Sequence, residues 1–197
     1  MPADLQELET RLGYSFRERG LLVRALTHKS FSAELPQQHD QFDNEQLEFF
    51  GDSILGFLVS EALVREHPSL SEGRLSKTKS QLVSAVHLQQ VARSLKLGDF
   101  LHLGRGEEKG GGREKPSLLA NAVEALIAAL YVDGGLEAAR AFVSEWVLAG
   151  HLDMVLQQES TNYKGELDEK AKAAGVPSPV YFVLEETGPA HARLLAE

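Results

Sequence analysis

Nine consecutive residues, Glu45-Gln46-Leu47-Glu48-Phe49-Phe50-Gly51-Asp52-Ser53, set three carboxylates at helical spacing in an otherwise largely apolar segment. At roughly 100° per residue, Glu45, Glu48 and Asp52 fall within an arc of about 60° and point the same way. Like charges on one stripe repel, and burial adds to the cost, so the pattern calls for a cation to offset them. Carboxylate oxygens are hard ligands of the kind that suits Mg²⁺ or Mn²⁺. A fourth acid stands out further on, because Glu124 is the lone carboxylate of the apolar stretch 117–132 and follows Asn121 by one helical turn. Such a group is either paired with a basic side chain or joined to the first stripe. If the two helices pack face to face, Glu48, Asp52, Asn121 and Glu124 converge as an oxygen cage for a divalent ion. Glu45 and Glu72 are then candidates for a second metal position. A cage of this kind polarises a phosphate oxygen and lowers the pKa of bound water, as phosphodiester hydrolysis requires.

The elements that must position these groups are mostly helical. Leu5, Leu8 and Leu12 followed by Gly13 predict a short amphipathic helix, and a second is expected over 19–26. The stretch 32–43 has no periodicity and reads as a loop, ending at Asp43-Asn44, both suited to cap a helix. From there a long helix is predicted to about His67, where Pro68 stops it. Ser71-Glu72-Gly73 restarts helical structure that continues to Gly98. Five glycines between Leu101 and Pro116 read as a mobile loop. The helix over 117–132 is apolar on nearly all sides and belongs in the middle of the core, and a further helix spans 136–148. Beyond a polar linker, a helix over 163–174, a strand over 180–184, a Gly188-Pro189 turn and a second strand from Ala192 are expected. Two strands and one helix fall short of a stable sheet-on-helix unit, so a continuation after Glu197 is expected.

The chain has 197 residues, 43% hydrophobic and 25% charged, enough for one sizeable core and a small second module. With no cysteine, no disulfide framework or thiolate metal site is available, which fits a reducing compartment, and a cytoplasmic protein is expected. The N-terminus lacks the basic flank and apolar run of a signal peptide, and no uninterrupted apolar run approaches a membrane span. A net charge of −9 argues against gripping nucleic acid by bulk electrostatics. Basic residues still gather locally at Arg74, Lys77 and Lys79 and at Arg105, Lys109, Arg113 and Lys115, either as an RNA-facing patch or as solvated surface charge.

The stretch Asn44–Ser53 resembles the signature of the bacterial ribonuclease III family. So do Ala25-Leu26-Thr27-His28-Lys29-Ser30 before it, and Gly104-Arg105-Gly106-Glu107-Glu108-Lys109, Gly111-Gly112-Arg113 and Ser117-Leu118-Leu119-Ala120 after it. The match runs in order from Leu5 to about Leu156. The tail from Tyr163 resembles the first half of a double-stranded RNA-binding domain, with Gly188-Pro189-Ala190-His191 in the loop between its first two strands. The resemblance implies a mainly α protein: an all-helical endonuclease domain over 1–156, a linker over 157–162, and a truncated α-β-β start of an RNA-binding domain over 163–197. It implies a homodimer that hydrolyses double-stranded RNA with Mg²⁺, for which Mn²⁺ substitutes. The products carry a 5′-phosphate and a short 3′ overhang, and the work is precursor maturation, of rRNA and mRNA, and turnover. No membrane partner is implied. By position, Glu48, Asp52, Asn121 and Glu124 match the metal ligands, Asp52, Glu124 and Glu45 the catalytic acids, and Glu72 an RNA-facing acid. Phe49 matches an aromatic residue that plugs into the partner subunit, against ordinary core packing as the alternative.

Two positions depart from the family pattern. Asn121 stands where aspartate is usual, and an amide offers its carbonyl oxygen to a metal without a charge. Asp168 stands where the RNA-binding module usually carries a groove-reading glutamine, and it accepts but cannot donate. From Ser160 to Glu197 there are four basic and six acidic residues, a poor composition for binding duplex RNA. The departures keep a second expectation open, a catalytically impaired duplex-RNA binder on the same scaffold. A helical dimer acting only as a protein scaffold would leave the acidic stripe unexplained.

Overall fold

Leu8 and Leu12 bury one side of the opening helix α1 (Leu5–Leu12), which Asp4 caps by accepting from the Gln6 N–H (2.9 Å) and which Gly13 ends at φ 63°. The computed structural model describes residues 4–35, 42–152, 167–168, 170–172 and 174–181, together with the backbone of 185–187 and 194–196. The chain divides into two compact units, Met1–Val155 and Leu156–Glu197. In the first, α1 is followed by α2 (Arg19–Ala25), the single turn α3 (Lys29–Ser32), α4 (Glu45–Glu66), α5 (Glu72–Leu82) and α6 (Ala85–Ser94). A 3-10 turn (Leu97–Phe100), α7 (Arg105–Lys109), a second 3-10 turn (Gly112–Glu114) and α8 (Pro116–Phe142) complete it, and α8 runs into a π-helical stretch, Val143–Leu148.

The core is built on α8. Pro116 occupies its first turn, where the missing N–H costs nothing, and the alanines and leucines behind it are buried all round the helix. The helix α4 packs most extensively against it, and α6 next. By length and composition alone Pro116–Leu148 is long and apolar enough to cross a membrane, but most of its apolar stretch is buried inside the domain. The break expected between the helices over 117–132 and 136–148 is present: Gly135 sits at φ 77°, ψ −172°, and interrupts the helical run. Just before it, Asp133 accepts from the Tyr14 hydroxyl (2.7 Å) and the N–H groups of Arg17 (3.0 Å) and Glu18 (2.8 Å), tying the α1–α2 turn to the core helix. Burial and that bond push the Tyr14 hydroxyl up to about 12.

Of Asp43 and Asn44, both expected to cap α4, Asp43 does so with its side chain and Asn44 does not. Asp43 Oδ1 accepts from the Glu45 N–H (3.1 Å), whereas Asn44 is buried and gives its side-chain amide to the Ala25 carbonyl (3.3 Å). The Asn44 N–H also donates to the Thr27 carbonyl (2.9 Å). On the other flank of the same link, His28 donates to the His102 carbonyl (3.0 Å) and His102 to that of Leu26 (2.9 Å). The start of α4 and the α2–α3 link are thereby held in one frame.

The glycine-rich stretch is not the mobile loop its composition predicts. It folds into α7 and a 3-10 turn, closed by Arg113 on Glu108 (2.7 and 2.8 Å), Arg113 Nη1 on the Gly98 carbonyl (2.6 Å) and Lys115 on Glu107 (3.1 Å). Gly104 donates its N–H to Ser30 Oγ (2.9 Å), and a side chain there would collide with the Ser30 carbonyl. Two of the four basic residues of this stretch are therefore spent inside it, while Arg105 projects into solvent.

In the second unit, residues 167–168 and 170–172 are helical and Gly175 lies at φ 68°. Asp168 pairs with Lys172 (2.6 Å), and the bonds from Lys172 and Ser178 hold its carboxyl below the usual range. The strands are β1 (Glu185–Thr187) and β2 (Leu194–Ala196), antiparallel with Glu186 opposite Leu195. Val180 and Tyr181, predicted to open the first strand, lie outside it, because β-branched and aromatic content marks extended chain but a ladder needs a partner. The predicted linker 157–162, positions 182–184 and the Gly188-Pro189 turn lie outside the described residues.

Candidate active site

The acidic stripe is where helical spacing puts it, on the face of α4 that borders α8. Glu45 and Asp52 are exposed and Glu48 is half-buried, while Leu47, Gly51, Ile54 and Leu55 on the other faces are buried. On α8, Asn121 and Glu124 are half-buried among the fully buried Ala122, Val123 and Ala125. The two helices approach at Gly51, where a Cβ would overlap the backbone carbonyl of Glu124 and lie 3.2 Å from its Cα. Any larger residue would hold the helices apart, so Gly51 sets how close the acids of α4 come to those of α8.

Electrostatics record the convergence. Burial, then the negative charges of Asp52 and Glu48, push the Glu124 carboxyl up to about 7. Glu48 is raised as well, by burial first and then by Glu45 and Asp52, against a hydrogen bond from Asn121 and the charge of Lys29. An ionised carboxylate only accepts, so the Asn121 amide presents its NH₂ to Glu48. Glu45 is engaged by Lys29 (2.8 Å). The structure thus brings Glu45, Glu48, Asp52, Asn121 and Glu124 into one electrostatic cluster.

Glu72 is not part of that cluster. It lies in the first turn of α5, accepts from Ser76 Oγ (2.7 Å), and is absent from the charges acting on Glu48 and Glu124. Among the described residues no three Asp, Glu or His groups are gathered at ligating distance. Carboxylates without a counter-ion repel, and one of the four donors here is an amide. The donors still fit a hard divalent ion, since all four offer oxygens and the charges acting on the raised Glu124 carboxyl are those of Asp52 and Glu48, both negative.

Phe49 is 79% exposed, so core packing does not explain it. Phe50, Phe57 and Val64 continue an exposed apolar strip along α4, and Tyr131 of α8 meets Phe50 edge-on with ring centres 5.4 Å apart. Sequence reasoning quoted Lys29 and Gly51 only as letters of a motif and gave neither a role. A glycine inside a long apolar helix is itself a signal, because it costs about 1 kcal/mol relative to alanine unless something must come close.

The domain is helical, and its two central helices approach at a glycine and gather oxygen-bearing side chains toward solvent, an arrangement compatible with a nuclease that works through acidic residues. A family profile described as Ribonuclease-III-like matches residues 18–151, and the chain belongs to the ribonuclease III family of endoribonucleases. The Ribonuclease 3 of Solibacter usitatus is 47% identical over 203 residues, covering 98% of this chain and 75% of that protein. That of Geobacter sulfurreducens is 42% identical over 189 residues, covering 96% and 76%. Among solved structures, the nuclease domain of ribonuclease III from Campylobacter jejuni superposes with a TM-score of 0.68 at 39% identity. It covers 74% of this chain and 96% of that one, in a structure concerned with flexibility in the region involved in dimer formation.

Proposed function

We propose that this chain is a Mg²⁺-dependent endonuclease of double-stranded RNA that works as a homodimer, with Mn²⁺ able to replace Mg²⁺. Each site cuts one strand, leaving a 5′-phosphate and a short 3′ overhang, in the maturation and turnover of structured RNA in the cytoplasm. The observation that carries this reading is the Gly51–Glu124 approach, which sets Glu124 beside Asp52, Glu48 and Asn121. Those four side chains would hold the cation, which when bound supplies positive charge to a phosphate oxygen and makes water a stronger acid. Asp52 and Glu124 keep that charge fixed, Glu45 stands at the rim facing the strand, and the buried flank of α8 excludes water from behind. Glu72 faces RNA from α5 rather than the cation. Incubation with a long duplex RNA across Mg²⁺ concentrations tests the proposal: staggered cuts with 5′-phosphate ends support it, and retention of intact duplex favours a binder without turnover.

That second reading has one observation behind it, the uncharged Asn121. Asn121→Asp places a carboxylate against Glu48 and adds a charged ligand. The Mg²⁺ concentration giving half-maximal cleavage is expected to fall about fivefold, on the ordinary scale of adding one charge beside a cation site. An unaltered Mg²⁺ titration removes position 121 from the ligand set.

The exposed strip of α4 is the proposed contact between subunits, centred on Phe49. Truncating a central aromatic anchor costs on the order of 2 kcal/mol, so Phe49→Ala should raise the dimer Kd about thirtyfold. Sedimentation at sub-micromolar concentration reads this directly, and an unchanged profile places the interface elsewhere. The tail, with its helix and antiparallel strand pair, is proposed as the opening α-β-β of a double-stranded RNA-binding domain. Its acidic balance and the commitment of Asp168 to Lys172 and Ser178 leave it a minor contributor to affinity.

A further inference from the structure

Lys29 is a cation whose charge reaches the acidic cluster. Its Nζ donates to Glu45 Oε1 at 2.8 Å, and its charge acts on Glu48 as well. The two partners come from parts of the chain that are fixed to each other. Lys29 opens α3, whose cap His28 accepts from the Ser30 N–H (3.2 Å) and is bonded through its own N–H to His102. Ser30 Oγ accepts from Gly104 (2.9 Å), and Thr27 accepts from Asn44, the residue before Glu45. The backbone under each end of the pair is therefore held, and only the two side-chain tips are free to exchange partners.

Those tips are wet. The side chains of Lys29 and Glu45 are 62% and 54% exposed, and an ion pair in that setting is worth little because solvent screens it. A pair that weak exchanges readily for an equivalent one, and a phosphate oxygen is an equal or better acceptor for an ammonium group. Resting on the proposed function, we infer that Lys29 is a positioning residue which holds Glu45 while the site lacks its cation and passes to a backbone phosphate when duplex RNA arrives. Lys29 thereby occupies part of the negative field that a divalent ion would otherwise use. On transfer it releases Glu45 to the reacting side of the site and adds one contact to the strand. The exchange conserves charge at each step: an ammonium leaves a carboxylate for a phosphate, and no proton moves.

The test is Lys29→Met in the full chain, with Lys29→Arg as the conservative partner; both lie on exposed surface and leave the anchoring bonds of the 27–30 backbone intact. Mn²⁺ binding without RNA, followed by the loss of the free-ion resonance signal, should tighten about threefold in Lys29→Met because a repelling charge has gone. Duplex cleavage should show a KM raised roughly five- to tenfold, with the larger part of the loss in KM rather than kcat. The salt dependence of RNA binding should become shallower by about one ion per lost contact. Lys29→Arg should restore KM to within about twofold of the parent. Mn²⁺ affinity unaltered in Lys29→Met, or a loss confined to kcat, overturns the inference. Failure of the parent chain to bind Mn²⁺ at all overturns the proposed function on which it rests.

Discussion

Glu124→Gln is expected to lose cleavage by about a thousandfold, ~4 kcal/mol of barrier, while the domain stays folded and at pH 8 melts above the parent. The two halves of this result have one cause. Glu124 is the acid of the core helix whose carboxyl is lifted from 4.5 to about 7, by burial first and by Asp52 and Glu48 second. Its ionised form is thus unwelcome in the cation-free fold and useful only when a cation arrives. The sign follows from proton counting: between 4.5 and about 7 the folded chain keeps a proton that the unfolded chain releases, so stability falls as pH rises through that window and stays lower above it. Glutamine has nearly the same shape and no charge, so it removes the decline along with the ligand. Melting curves should separate at pH 8 and draw together below pH 4.5, where both side chains are neutral. Single-turnover cleavage of duplex RNA measures the other half. A variant that cuts as fast as the parent would mean that the reaction is carried out elsewhere on the molecule.

Much of the site was legible because its logic is local. The helical period alone aligned Glu45, Glu48 and Asp52, and the lack of another carboxylate in the core stretch singled out Glu124. What joins the stripes is not local. Gly51 has meaning only through the Glu124 carbonyl facing it, and no property of residue 51 reports what lies across the helix interface. Lys29 was hidden for the same reason: an exposed lysine is the commonest of surface residues until a fold places it on Glu45. The stretch 101–116 was misread because glycine content was taken for freedom, whereas at Gly104 glycine permits a close approach and Arg113 and Lys115 close the structure over it. Phe49 could not be sorted from sequence at all, since a phenylalanine in an apolar helix fits a core and an interface equally well. Val180 and Tyr181 were assigned to the first strand of the tail because extended composition was counted and a partner was not.

Gly51→Ala should cost more than its single methyl group suggests. The added Cβ would fall on the backbone of Glu124, and a helix backbone, unlike a flexible side-chain tip, cannot swing aside. Overpacking of a core costs about 1–3 kcal/mol and occasionally more, and a backbone obstacle belongs at the upper end. Alanine returns about 1 kcal/mol through helix propensity, leaving a net loss of ~2 kcal/mol and a melting temperature lower by roughly 4–8 °C. Cleavage should fall further than stability, by about a hundredfold, because parting α4 from α8 by about 1 Å moves Asp52 and Glu48 away from Glu124 and Asn121 together. The same helix supplies the control. A Cβ at Gly56 would meet only the end of the Lys79 side chain, at 3.6 Å from Nζ and 3.7 Å from Cε, which is ordinary contact with a group that can move. Gly56→Ala should therefore gain stability through propensity and leave cleavage within about twofold of the parent. Opposite signs for two identical substitutions five residues apart would isolate the helix approach as the feature that assembles the site, and equal behaviour would show that the acids are held by something other than the contact at Gly51.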